Sequence, residues 1–274
     1  MRINNYGYHG QYENETNISR GHRESLWRRS TENQINKYVK PILEKQCWRV
    51  YHFHDTCRNA RVKCEHNLSS NKNLQYDAAN LAAFLYRLKN HFSDCYRQIV
   101  DTVQLIAPYF ADFELEPNEG NTEQIILRWK QKNCDNIFNA SQLSDGTLRF
   151  ICLATLLLQP EKLQPATIII DEPELGLHPY AVTIFAELVK QLSATKQIIL
   201  STQSIELLNE FSPEDIVVVD NIDESSSFRR LEPEELKDWL EEDYSLGELW
   251  NKNLLGSTPP TYQCNAQSHT TTQY

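Results

Sequence analysis

The sequence predicts an α/β fold, a parallel sheet flanked by helices with a helical insertion, and three observations carry that expectation. Apolar runs recur at Ile168-Ile169-Ile170, Ile198-Ile199-Leu200 and Ile216-Val217-Val218-Val219. Helical spacing of apolar residues fills the segments between them. Each run is apolar throughout rather than alternating, the pattern of strands covered on both faces and joined by helical crossovers.

The elements follow in order along the chain. Residues 1 to about 22 are rich in Asn, Tyr, Gly and Glu without periodicity and are expected to be loose. Arg23 to Cys47 carries Leu26, Trp27, Ile35, Val39, Ile42 and Leu43, a helix or two interrupted at Pro41. Trp48 to His54 is aromatic and β-branched, a strand ended by Asp55-Thr56, and a polar loop runs on to Asn73. Asp77 is placed to cap a helix bearing Leu81, Ala82, Leu85 and Leu88, and a second helix through Ile99, Val103, Leu105 and Ile106 stops at Pro108. These two make the helical insertion, about 76–107. Phe110 to Leu115 and Gln124 to Trp129 read as paired strands joined through Pro117-Asn118-Glu119-Gly120. A helix from Thr147 to about Leu158 precedes the first apolar run, and one from about Tyr180 to Leu192 follows it. Gln197 to Thr202 is a strand with a short helix after it, and Ile216 to Asp220 a third strand. Beyond Asp223 the chain turns acidic around Leu236, Trp239 and Leu240, an amphipathic helical extension; from Gly256 it is rich in Thr, Gln and Pro, an expected disordered tail. The boundaries are therefore 1–47, 48–222, 223–255 and 256–274.

Composition narrows the function classes. The formal charge is −10 over 274 residues, which argues against wrapping nucleic acid with the whole surface. Arg20, Arg23, Arg28 and Arg29, and again Arg58, Arg61 and Lys63, form local basic clusters that read first as solvated faces. No apolar run approaches the ~18–20 residues that span a bilayer, and the polar N-terminus does not resemble a signal peptide. A cytoplasmic protein with no membrane role is expected. The 7 cysteines never fall in C-x-x-C spacing, so reduced thiols are the simple reading. Cys57, Cys64 and His66, with His52 and His54, match no common zinc pattern.

Two motifs carry the chemistry. Ile168-Ile169-Ile170 delivers Asp171 and Glu172 at its C-terminal end, followed by the tight loop Pro173-Glu174-Leu175-Gly176-Leu177-His178-Pro179. Adjacent carboxylates in that position suit a nucleotide hydrolase: one holds Mg²⁺, the next orients and deprotonates the attacking water. Upstream, Leu143-Ser144-Asp145-Gly146-Thr147 opens an apolar helix. A helix N-terminus with a hydroxyl and a glycine that permits close approach suits an anion.

Together the two segments resemble the signature and Walker B motifs of ABC-type ATPases, most closely the RecF-like and SMC-like branch of AAA-family ATPases. The resemblance covers roughly Trp48 to Asp220, matches the C-terminal part of an ATPase head of P-loop NTPase fold, and is specific between Leu143 and Ser204. It implies ATP and Mg²⁺ as cofactors, with Asp171 on Mg²⁺ and Glu172 as general base. Ser144, Asp145, Gly146 and Thr147 would contact the γ-phosphate of ATP held by the opposite subunit of a head-to-tail dimer. The 174–179 segment resembles the D-loop, with Gly176 and His178 at the dimer interface. Gln203 stands at the switch loop, where it can position a water but cannot take up a proton as His does. His52 to Thr56 also looks like a family segment, and reads as structural. Relatives use dimer closure in DNA repair or defence against phage, with DNA and a nuclease as possible partners.

One motif is missing: no G-x-x-x-x-G-K-[ST] occurs in the 274 residues. Without that Walker A loop the N-terminal lobe of the head is incomplete, and the chain alone is expected to bind ATP poorly. A gene fragment, one half of a split ATPase completed by a Walker A-bearing lobe, and a degenerate non-catalytic dimer partner all remain open. The intact Asp171-Glu172 pair disfavours the last. An incomplete sheet would leave an unpaired edge and exposed apolar surface.

Overall fold

The computed structural model describes residues 2–4, 7–9, 48–118, 120–222, 225–232, 236, 239, 244–252 and 254–255. The helix expected over 23–47, the early arginine cluster and the tail from Gly256 lie outside them. The chain divides into two units, residues 1–49 with 165–167, and residues 50–164 with 168–274. In the first, β1 (Arg2–Asn4) and β2 (Gly7–His9) pair antiparallel, Arg2 opposite His9.

A helical pair opens the second unit. After β3 (Trp48–Tyr51) and β4 (His66–Asn67), α1 (Leu81–His91) buries Leu81, Ala82, Phe84, Leu85 and Leu88. Helix α2 (Ser93–Ile106) buries Tyr96, Ile99, Val100 and Val103, the stripe of an amphipathic helix. Asp77 does not cap α1. Asn80 occupies the N-cap without a side-chain bond to the helix, and Asp77 instead pairs with Arg61 at 2.7 Å. The Asn80 amide is turned into the preceding loop, donating to Ser70 O at 2.6 Å and Asn73 O at 2.9 Å.

The strands expected at 110–115 and 124–129 are both present but are not simple partners. Strand β5 (Phe110–Glu114) pairs antiparallel with β7 (Arg128–Gln131), which pairs with β8 (Ile137–Asn139). The short β6 (Gln124–Ile125) turns to β4 instead. Aromatic packing explains the preference for β7: Trp129 stacks between Phe110 at 5.9 Å and Phe138 at 4.9 Å.

The site is carried by a second set of elements. Helix α3 (Asp145–Leu158) is buried on nearly every side, from Thr147 through Leu157 with only Arg149 partly exposed. It packs against α2 and against α4 (Pro179–Ser193). Strand β9 (Thr167–Asp171) lies between β3 and β10 (Gln197–Ser201) in a three-stranded sheet. Helix α4 provides the β9-to-β10 crossover of a parallel sheet. Ile168 and Ile170 are 0% and 1% exposed on the core face.

The third apolar strand departs from expectation. After the short α5 (Ile205–Leu208), β11 (Val217–Ile222) does not join the β9 sheet. It forms an antiparallel hairpin with β12 (Ser225–Arg230), Val219 opposite Phe228. A run of valines specifies a strand but not its neighbour. Residues 225–230, expected within the helical extension, are instead extended by their pairing with the valine-rich β11, and α6 (Leu246–Asn251) is capped by a Ser245–Glu248 box. A second small core joins Val218, Leu231, Leu236, Leu246, Leu249 and Leu255. Among the described residues no helix is long and apolar enough to cross a membrane.

Candidate functional site

Two clusters of predicted residues meet at the C-terminal end of β9. The first is built on carboxylates. Asp171 is the last residue of β9, exposed, and accepts a hydrogen bond from Ser201 Oγ at 2.5 Å. Glu172 follows with φ +39°, a left-handed conformation that costs an L-residue roughly 1–2 kcal/mol. Its amide donates to Ser201 O at 2.9 Å and its carbonyl accepts from Leu175 N at 3.2 Å, so the strained turn is anchored on both sides. Thr202 Oγ1 donates to Glu174 Oε1 at 2.6 Å. The end of β10 thus fixes the acidic loop, while Gln203 lies exposed just beyond it.

A cation would fit here in one way. Among the described residues no three His, Cys, Asp or Glu side chains converge on a common point. An exposed carboxylate with a hydroxyl beside it suits Mg²⁺, a hard ion that takes one or two carboxylates and completes its shell with water and phosphate oxygens. Cys57 and Cys64 are exposed free thiols.

The second cluster surrounds the start of α3. Ser144 is the N-cap, accepting from Thr147 N at 3.1 Å, with its hydroxyl 2.7 Å from Thr147 Oγ1. Gly146 touches the acidic loop so closely that a Cβ there would meet Gly176 O at 2.4 Å. Gly176 has φ +73°, and a Cβ on it would meet Arg149 Nη1 at 2.3 Å. Gly146 is therefore demanded by backbone approach, and Gly176 by its left-handed φ. His178 caps α4, its Nδ1 accepting from Tyr180 N at 3.2 Å, with Pro179 at the first helical position. Ser144, Gly146, Thr147, Gly176, Leu177 and His178 help line one cleft of about 250 Å³.

Arg149, His54 and Thr56, to which the sequence assigned no chemistry, join the two clusters. Arg149 reaches from α3 to Leu175 O at 2.7 Å and His54 O at 2.9 Å, with Thr56 Oγ1 at 3.3 Å. His54 Nε2 in turn donates to Asp171 O at 2.9 Å. The segment read as merely structural is therefore the tie between the α3 turn, the acidic loop and the carboxylate strand. The available signal was Arg149 itself, a lone cation in an otherwise apolar helix (Asp145 to Leu158).

The family model described as "AAA domain, putative AbiEii toxin, Type IV TA system" matches residues 25–209. No curated protein matches. Among solved structures, one from work on ATP-driven dimerization and DNA-stimulated activation of SMC ATPases is 20% identical, covering 58% of this chain and 96% of that one, at TM-score 0.43. The Smc head domain with an extended coiled coil bound to the C-terminal domain of ScpA, from Pyrococcus furiosus, is 18% identical, covering 61% of this chain and 44% of its own, at TM-score 0.43. The SMC head domain from Thermotoga maritima is 18% identical, covering 55% and 52%, at TM-score 0.38. The chain spans about half the length of these last two.

Proposed function

Because the chain belongs to the AAA-domain family described as a putative AbiEii toxin of type IV toxin–antitoxin systems, we propose that it forms part of an ABC-type ATPase head acting on Mg-ATP. The observation that carries this reading is the adjacent pair Asp171 and Glu172 at the carboxyl end of the central strand, where ligands of open α/β sheets bind. Asp171 would hold Mg²⁺, which supplies charge neutralisation of the phosphates when bound. Glu172, aimed by its left-handed backbone, is the general base that takes a proton from the attacking water. Gln203 positions that water. Ser144, Asp145, Gly146 and Thr147 meet the γ-phosphate of a nucleotide held by a partner, and Gly176 and His178 lie in the D-loop facing it.

The phosphate-cradling loop is supplied by a sequence outside these 274 residues, which contain no G-x-x-x-x-G-K-[ST]. The partner is a second copy in head-to-tail arrangement or a separate Walker A-bearing lobe. A RecF-like or SMC-like cycle, acting on DNA with a nuclease in repair or in defence against phage, is the wider setting. ATP turnover tests the reading. Mixing the chain with a Walker A-bearing lobe should yield hydrolysis that Glu172→Gln abolishes. Association with the same lobe that is independent of nucleotide and indifferent to Glu172→Gln would mark a non-catalytic dimerisation module instead.

A further inference from the structure

Gln203 stands between two anchors. On its N-terminal side Ser201 and Thr202 are tied to the carboxylate strand and its loop, the first to Asp171 Oδ1 at 2.5 Å and the second to Glu174 Oε1 at 2.6 Å. On its C-terminal side Ser204 opens α5: its N–H donates to Thr202 Oγ1 at 2.9 Å, and its hydroxyl accepts from Leu207 N at 3.2 Å. Gln203 itself is exposed, so its place is set by the segments that flank it. Helix α5 is a single turn of 4 residues, too short to hold its shape without packing.

Part of that packing comes from far along the chain. Helix α6 lies against α5. Gly247 N–H donates at 2.7 Å to Asn209 Oδ1, and Asn209 is the C-cap of α5. A Cβ on Gly247 would meet Ile205 Cγ2 at 2.3 Å, Asn209 Oδ1 at 2.8 Å and Ile205 O at 3.0 Å, so the glycine lets α6 approach both ends of the turn. Leu207 is buried in the main core, whereas Leu246 and Leu249 are buried in the second. From the other side α4 holds the residue after the C-cap, Thr183 Oγ1 donating to Glu210 Oε1 at 2.7 Å. The C-terminal core thus meets, at Gly247, the turn that follows Gln203.

We propose that α6 is a brace for the Gln203 loop, with Asn209 and Gly247 as positioning residues. Docked, α6 fixes α5 and the loop before it; released, it frees both. The β11–β12 hairpin shares its small core with α6 through Val218 and Leu231, so the C-terminal extension as a whole acts on the loop through this one contact. The inference rests on the reading of Gln203 as the residue that positions water.

The experiment is amide hydrogen exchange, with ¹⁵N–¹H spectra, on the full chain without nucleotide. Ser204 and Leu207 report on the α5 turn, and Gln203 on its own surroundings. Asn209→Ala leaves the buried Gly247 N–H without its acceptor. It should speed exchange at Ser204 and Leu207 roughly tenfold, the factor that corresponds to one such lost bond, and shift the Gln203 resonances. Leu249→Ala should do the same by releasing α6 from its core without altering any atom of α5. Ile99→Val, buried on α2 in the main core, controls for a general loss of stability and should leave Ser204 and Gln203 as they are. Native exchange at Ser204 in Asn209→Ala or in folded Leu249→Ala would overturn the brace, as would an equal response to Ile99→Val. Asn209 is exposed, so its variant decides the matter even if Leu249→Ala does not fold. Turnover plays no part in these readouts; the hydrolase reading stands or falls separately, on Glu172→Gln in the mixture with a Walker A-bearing lobe.

Discussion

The two faces of the β9 sheet differ sharply. On one, Ile168 and Ile170 are 0% and 1% exposed beneath the helical layer; on the other, Val50 and Ile199 are 41% and 46% exposed. The same apolar residue types occupy both. One face is a finished core, and the other is a surface with the composition of a core. The difference teaches that the carboxylate-bearing end of β9 can be fully organised while, among the described residues, apolar side chains of β3 and β10 stay exposed. Bare apolar strand faces of this kind are what partners cover.

The comparison can be broken or sharpened by substitution. Its largest expected effect is on the core face: Ile170→Ala should cost about 2–5 kcal/mol in urea unfolding, whereas Ile199→Ala should stay within about 0.5 kcal/mol. Equal costs would mean that the second face is covered in solution. Next comes the junction of the two clusters. Gly146→Ala drives a methyl against a backbone carbonyl and should destabilise by about 1–3 kcal/mol, shifting the Leu177 and Thr147 amide resonances together. A smaller effect of opposite sign is expected at Glu172. Glu172→Gly relieves the positive φ and should raise stability by up to about 1 kcal/mol in thermal unfolding while eliminating any hydrolysis. Glu172→Gln, which keeps the strain, should leave stability unchanged. The smallest effect is electrostatic. Hydrogen bonds from the Cys57 thiol and N–H hold the Asp55 carboxyl below its usual range. A depressed pKa adds stability above the unfolded value and loses it as pH falls through the folded one, so Asp55→Asn should flatten the stability curve only below about pH 4.

How much of this was legible in the sequence depends on the range of the interaction. Helix α3, strand β9, helix α4 and strand β10 were readable because each is set by local periodicity and capping: Ser144, Pro179 and the isoleucine run suffice. The carboxylate pair and the two glycines were readable as a motif. Partnership was not. That β11 pairs with β12 rather than the β9 sheet, and that β6 leaves β7 for β4, turns on contacts between distant residues. The ties made by His54 and Thr56 were hidden for the same reason, since each meets a group that the fold brings from far along the chain. Buriedness was also overstated: an apolar run predicts that a strand can be covered, while β10 has no fully buried residue.

The most direct test of the central claim, that this chain holds the catalytic carboxylates while another segment cradles the phosphates, is a calorimetric titration of Mg-ATP into the chain alone and into its mixture with a Walker A-bearing lobe. The account requires no micromolar binding to the chain alone, and binding to the mixture that Asp171→Ala weakens. Micromolar binding to the isolated chain, lost in Asp171→Ala, would reveal a phosphate site of its own and contradict the account.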